Sequence, residues 1–222
     1  MKVSVLIPAY NEGDYIYQTV QALVSLPQVD EVVVVDDASR DDTALLAQQA
    51  GARVISLAAN LGKGGALNRG LGEVDGDIVV LLDGDLGYSA GEAGKLIDPV
   101  LKGEADMTIA RFPRARKKGG FGLVKGLARW GIKFFTGLEM FSPLSGQRVM
   151  TRPVIESIGT FASGYGVEVG LTIDVARRGF RVREVEVQMT HAETGRDISG
   201  FKHRGKQFIH VARVLAWKLV TR

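Results

Sequence analysis

The chain has 222 residues, 45% of them hydrophobic and 24% charged, the composition of an ordinary folded domain rather than a disordered one. It contains no cysteine, which excludes thiol catalysis, disulfide frameworks and Cys-ligated zinc and fits a reducing compartment. No apolar run approaches the ~18 residues that span a bilayer, and the N-terminus lacks the charged-then-apolar shape of a leader, so the expectation is a soluble or peripheral protein, in the cytoplasm or on the inner face of the membrane.

The net charge of +3 conceals an asymmetry. Residues 111–133 hold eight Lys/Arg and residues 201–222 hold six, with no Asp/Glu in either stretch. These 45 residues carry +14, so the other 177 carry −11. Two basic stretches on an acidic body call for an anionic partner.

In chain order, Val3 to Ile7 is a buried strand ended by Pro8, and Glu31 to Val35 is a second, stopped by Asp36-Asp37. Arg53 to Leu57 is a third, and 77–82 a fourth, stopped by Asp83-Gly84-Asp85. Helical spacing of apolar residues places helices near 13–26, 41–50 and 63–72 between them. Further on, strands are expected at 107–110, 145–150 and 182–187, the last with one wet face, and helices at 120–138, 164–178 and 201–220. Continuous apolar strands alternating with helices predict an α/β fold: a Rossmann-like, mostly parallel sheet with helices on both faces and a basic amphipathic C-terminal helix. One domain of residues 1–200 is expected, its halves 1–110 and 111–200, with 201–222 as the appended helix.

Ligands of such sheets sit at the carboxyl ends of the strands, where Tyr10-Asn11-Glu12, Asp36-Asp37 and Asp83-Gly84-Asp85 all fall. Two carboxylates one small residue apart can reach a single hard cation, Mg2+ or Mn2+, and the phosphates it bridges; Asp-Gly is equally the composition of a turn. Asp37 can accept bonds from a base or a ribose, whereas Asp41 and Asp42 read as caps of the next helix. Asn60-Leu61-Gly62-Lys63-Gly64-Gly65 lets backbone approach a phosphate and offers Lys63 as a point charge. It lacks the P-loop spacing, and no Gly-x-Gly-x-x-Gly follows the first strand, which argues against P-loop and hydride-transfer enzymes.

Taken in order, Ile7-Pro8-Ala9-Tyr10-Asn11-Glu12, Val35-Asp36-Asp37-Ala38-Ser39, Gly62-Lys63-Gly64 and Asp83-Gly84-Asp85 resemble the nucleotide-sugar half of family 2 glycosyltransferases, whose fold is of the GT-A type. Pro143-Leu144-Ser145-Gly146-Gln147, 164–171 (Gly-Tyr-Gly-Val-Glu-Val-Gly-Leu) and His191 are similar to the glucosyl-3-phosphoglycerate synthases of that family and their mannosyl relatives. The resemblance covers residues 3–197. It implies a metal-dependent transfer of a hexosyl group from a UDP-glucose-like or GDP-mannose-like donor to a phosphorylated acceptor, either phosphoglycerate-like or a polyprenyl phosphate. By that likeness Pro8, Ala9, Tyr10, Asn11, Glu12, Asp37, Lys63, Asp83 and Gly84 bind the donor, and Asp83, Asp85 and His191 hold Mg2+ or Mn2+. Glu168 and Asp85 become the catalytic candidates, with Arg111, Ser145, Gly146 and Tyr165 on the acceptor. The sequence departs at Gly120-Phe121-Gly122-Leu123-Val124, where the synthases carry a Gly-Arg-Val-Thr-like grip on the glycerate phosphate. Stereochemistry stays open, since most of the family inverts and the synthases retain.

On a helix through 120–138, Lys125, Arg129 and Lys133 form a basic stripe beside Leu123, Leu127, Trp130 and Phe134. The tail repeats this, with Phe208, Ala212, Leu215 and Leu219 beside Lys206 and Arg213, and Trp217 nearby. Such helices lie on anionic membrane surfaces, pair in homodimers, or are simply solvated. The five basic residues from Arg111 to Lys118 suit a loop over a phosphorylated acceptor. Two other readings are a sugar-phosphate nucleotidyltransferase, which the segment 8–13 does not match, and a non-catalytic module for anionic surfaces. No nucleic-acid partner is expected, because the acidic strand ends would repel it.

Overall fold

The computed structural model describes residues 1–112, 122–161, 167–190 and 198–220, the last as main chain alone up to residue 207. The elements are β1 (Val3–Ala9), α1 (Ile16–Val24), β2 (Glu31–Asp36), α2 (Thr43–Gln49), β3 (Arg53–Ser56), α3 (Gly62–Leu71), β4 (Ile78–Leu81), a 3-10 turn (Gly87–Glu92), α4 (Ala93–Leu101), β5 (Met107–Arg111), α5 (Leu123–Thr136), β6 (Arg148–Thr151), α6 (Arg152–Ile158), α7 (Val167–Arg177), β7 (Val182–Glu186) and α8 (Ile198–Val220). Each expected strand is present. Two helices, α4 and α6, were not expected, since Gly91, Gly94 and Pro99 break the pattern of the first and Pro153 opens the second.

The strands form one seven-stranded sheet in the order β3-β2-β1-β4-β6-β5-β7. Only β6 runs against its neighbours β4 and β5. The branched apolar runs are buried on both faces, as a covered parallel sheet requires. Val3, Val5, Ile7 and Ala9 of β1 pack toward α1, α2 and α4. Leu6 points the other way, toward the core shared by α3, α5, α6 and α7. Gly70 lets α3 lie close on that face: a Cβ there would come within 2.3 Å of Leu6 Cδ1. At the edge, β7 is exposed at Arg183 and Glu186, which lie on opposite faces, so the single wet face expected of 182–187 is not found.

Chain order turns back at β1, with β2 and β3 on one side and β4 on the other, which makes β1–β4 the topological switch point. The strand does not stop at Pro8. Its pairing with β2 runs on to Pro8↔Val35 and Ala9↔Asp36, whereas pairing with β4 ends at Leu6↔Leu81. Pro8 therefore faces the side where β4 has already ended, and its missing N–H leaves no ladder bond unmade. The divergence opens a crevice between the segments after β1 and β4.

Helix α8 begins at Ile198 and packs on α5 and α7. Gly131 makes the crossing close, because a Cβ there would sit 2.4 Å from Leu215 Cδ2. No helix among the described residues is long and apolar enough to cross a membrane.

Candidate active site

The segment after β1 is stitched to the start of α2. Asn11 takes a left-handed conformation (φ 54°); its N–H donates to Ser39 Oγ at 3.0 Å and its Oδ1 accepts from Arg40 N at 2.8 Å. Glu12 N donates to Thr43 Oγ1 (2.8 Å) and Gly13 N to Asp41 Oδ2 (3.1 Å). Asp41 also accepts from Thr43 N (3.1 Å), so it caps α2 as expected. Asp42 occupies the N-cap position but makes no side-chain cap bond, a correction to the reading of both as caps. The buried Asp37 carboxylate accepts the N–H groups of Leu61 (2.7 Å) and Gly62 (2.8 Å), which pins the glycine-rich turn over the strand ends.

Across the crevice, the buried Thr19 hydroxyl donates to Gly84 O and accepts from Gly87 N, both at 2.8 Å, which fixes the Asp83-Gly84-Asp85 turn. A Cβ on Gly84 would lie 3.2 Å from Glu12 Cγ, so a larger residue between the two aspartates would press on the Glu12 side chain. Asp83 accepts from Lys63 Nζ at 2.5 Å and from Gln147 Nε2 at 2.6 Å. Burial alone would lower the Lys63 pKa, but Asp83 and Glu168 outweigh it and hold the ammonium above its ordinary value, fully charged.

A cavity of about 230 Å³ lies in the crevice. Pro8, Ala9, Tyr10, Glu12, Asp37, Lys63, Asp83, Gly84 and Asp85 all line it; Asn11, its oxygen bonded to Arg40, does not. Among the described residues no three His, Asp or Glu side chains form a metal cage. Asp83 and Asp85 offer two carboxylates, and His191, the expected third ligand, lies outside the described residues. The field favours a cation nonetheless. Burial, then the charges of Asp85 and Asp83, push the Glu12 carboxyl up to about 7. The crevice thus concentrates negative charge that a hard divalent ion would relieve.

The Glu12 shift has a thermal consequence. Its folded pKa lies above the unfolded value, so ionised Glu12 weakens the fold above about pH 7, and the effect vanishes as pH falls toward 4.5. Glu12→Gln should raise the melting midpoint in EDTA by about 2–4 °C at pH 8 and by clearly less at pH 5. An equal gain at both pH values would contradict this origin.

A second, larger cavity of about 800 Å³ shares Lys63 and Asp83 with the first. Its wall is the 141–147 segment, with Glu168 from the first turn of α7, Arg111 from the end of β5, and Lys125 and Arg129 from α5. Ser145, Gly146, Arg111 and Glu168 are thus brought together around one cavity; Tyr165 falls outside the described residues. A Cβ on Gly146 would stand 2.7 Å from Lys63 Nζ, so a larger residue would push the lysine off Asp83.

Sequence reading missed the groups that hold this wall. Gln147 links it to Asp83. Arg148 is fully buried, and its guanidinium donates to Ser145 O, Glu168 O and Thr172 Oγ1, each at 3.0 Å. Burial pulls its pKa down to about 10, with Glu168 and Glu184 opposing, so it stays charged at neutral pH. Glu184 of β7 accepts from Phe141 N (2.7 Å) and Ser142 N (2.5 Å). Gln147 and Arg148 were marked in the sequence only by their closeness to Ser145-Gly146, and Glu184, on β7, had no mark.

An acidic crevice at the switch point, joined through a Lys–Asp pair to a basic-walled cavity, suits two substrates that meet. Residues 4–156 match the domain described as Glycosyl transferase family 2. The chain belongs to that family. Glucosyl-3-phosphoglycerate synthase of Mycobacterium tuberculosis is 34% identical to it over 200 residues, covering 79% of this chain and 61% of the relative. Glycosyltransferase AglJ of Haloferax volcanii is 29% identical over 192 residues, covering 82% and 61%. The chain thus spans about three fifths of the length of the curated relatives it matches. A crystal structure of the M. tuberculosis synthase in complex with Mn2+, UDP and glucosyl-3-phosphoglycerate is 31% identical and superposes with a TM-score of 0.80, covering 96% of this chain and 78% of that one. The fold of this family 2 member is accordingly of the GT-A type.

Proposed function

We propose that this family 2 member moves a hexosyl group from a nucleotide sugar to a phosphorylated acceptor in the cytoplasm, with Mg2+ or Mn2+ as cofactor. The observation that carries the reading is the Lys63–Asp83 pair, which stands between an acidic crevice and a basic-walled cavity. The M. tuberculosis synthase, crystallised with UDP-glucose, Mn2+ and phosphoglyceric acid, favours a UDP-glucose-like donor over a GDP-mannose-like one.

In this reading the 1–110 half binds the donor and 111–200 the acceptor. Tyr10 and Asp37 face the nucleoside, and Asp83 and Asp85, with His191, are the ligands for the ion. When bound, the ion would supply positive charge to the departing diphosphate. Lys63, held charged, adds to that charge from the acceptor side. Glu168 stands on the cavity wall as the base for a hydroxyl acceptor. The test is thermal unfolding with UDP, UDP-glucose, GDP and GDP-mannose, each with Mn2+ and then with excess EDTA. A nucleotide at about 100 times its Kd stabilises by about 2.7 kcal/mol, or about 5–10 °C in a domain of this size. A metal-dependent rise with the uridine pair is expected, and no shift with any of the four would overturn the reading.

A separate observation favours a surface partner for α5 and α8, the latter including residues 201–220 of the basic C-terminal stretch. Leu123, Trp130 and Phe134 are exposed along α5, Trp130 and Phe134 stacking at 5.3 Å, and Phe208, Ile209, Leu219 and Val220 are exposed on α8. With the basic charge of these stretches, the partner we infer is an anionic lipid surface. Co-sedimentation with phosphatidylglycerol vesicles but not phosphatidylcholine vesicles is expected, weakened by Trp130→Ser with Phe134→Ser. A concentration-dependent dimer without vesicle binding would assign the face to a second copy of the chain instead.

A further inference from the structure

Two guanidinium groups lie against one aromatic ring in the wall of the larger cavity. Arg111 Cζ is 4.1 Å and Arg129 Cζ 5.3 Å from the centroid of Phe141. Each part is fixed from behind. Phe141 and Ser142 hang by their N–H groups from Glu184, and Arg129 Nε donates to Met140 O at 2.6 Å. Lys125, one turn before Arg129 on the same face of α5, lines the same cavity and has no carboxylate partner among the described residues. Of the carboxylates lining the cavity, Glu186 approaches Arg111 only to 4.0 Å, and Glu168 acts on Lys63 at the other end. Three cations held this close repel one another, and the stacking ring offsets only part of that. Planar guanidiniums with unspent N–H groups match a phosphate's oxygens.

We propose that Arg111 and Arg129, aligned on Phe141 and assisted by Lys125, form a clamp for a phosphate monoester on the acceptor, set apart from the group that is glycosylated. The inference rests on the transfer reading above. The separation follows from the sheet: Arg111 ends β5, two strands over from β4, which places the clamp's anchor roughly 10 Å across the sheet from the strand that leads into Asp83. A phosphate gripped there is a handle, and the nucleophile is a hydroxyl elsewhere on a small molecule, nearer Lys63 and Glu168. An acceptor whose phosphate is itself glycosylated would need its phosphate at the Lys63 end.

The experiment is calorimetric titration of the full chain, loaded with Mn2+ and UDP, with 3-phosphoglycerate, glycerol 3-phosphate and farnesyl phosphate in separate arms. At least one soluble phosphate monoester should bind. Its Kd should rise at least tenfold in Arg111→Gln and in Arg129→Gln, and severalfold in Lys125→Gln, on which no described contact depends, with UDP affinity within twofold of the parent. Unchanged affinity in all three variants would overturn the clamp, as would binding of farnesyl phosphate alone, or of no monoester by protein that holds UDP. Failure to bind Mn2+ and UDP would instead strike the transfer reading, and the same titrations on the unloaded chain would still decide the clamp.

Discussion

Asp85→Asn should lower kcat/KM on the order of 10³-fold while leaving the melting midpoint of the ligand-free chain unchanged or slightly raised. A carboxylate that holds a cation against a leaving diphosphate contributes several kcal/mol of charge stabilisation in the transition state, and each 1.4 kcal/mol is tenfold in rate. The fold does not suffer, because Asp85 stands in a crevice whose negative charge already forces Glu12 toward the neutral form. Removing one charge relieves that strain. The metal-dependent stabilisation by UDP should disappear in the same variant. Asp83→Asn should lose as much activity, and in addition it weakens the links to Lys63 and Gln147 through which the two cavities meet. Activity within tenfold of the parent, with the metal-dependent shift intact, would remove the aspartate pair from the chemistry.

Arg148→Met is expected to destabilise the chain by about 3–5 kcal/mol, the range seen when one partner of a buried charged network is removed, and so to lower the midpoint by about 6–20 °C. The carbonyls of Ser145 and Glu168 would lose a charged donor, as would the Thr172 hydroxyl, in a place that water does not reach. Arg148→Lys should recover only part of this, because one ammonium cannot reproduce the fork that spans the 145–147 turn and the start of α7. The surviving protein should show a raised acceptor KM with the donor KM little changed, since the residue holds the acceptor wall and not the crevice. A midpoint within 3 °C of the parent would mean that the wall is held by something else.

The sheet was legible because β2 and β4 are unbroken branched runs and β1 is interrupted only by Ser4 and Pro8, the pattern of strands buried on both faces, and each leads into a polar cluster at the correct end. The reversed direction of β6 had no such mark: Arg148–Thr151 reads alike either way, and only its pairing with β4 and β5 shows it. The crevice at the switch point was legible for the same local reason, most of its lining residues being direct continuations of strands. Asn11 shows the limit of that reasoning, since its side chain ties the segment to Arg40 and does not line the cavity. The wall of the larger cavity was the least legible part. Gln147 acquires its role from Asp83, 64 positions away, and Phe141 from Glu184, 43 positions away. Arg148, a charge at the start of β6, would be read as solvated, and only the Ser145 and Glu168 carbonyls and the Thr172 hydroxyl brought around it make it a buried tie.

The most direct test is release of UDP from UDP-glucose by the purified chain with Mn2+, with and without 3-phosphoglycerate or glycerol 3-phosphate, repeated in EDTA. The account predicts metal-dependent release that requires a phosphorylated hydroxyl acceptor, is matched by a glycosylated product, and is lost in Asp85→Asn. Release that ignores both metal and acceptor, or none with any of these partners in a chain that binds UDP, would contradict it.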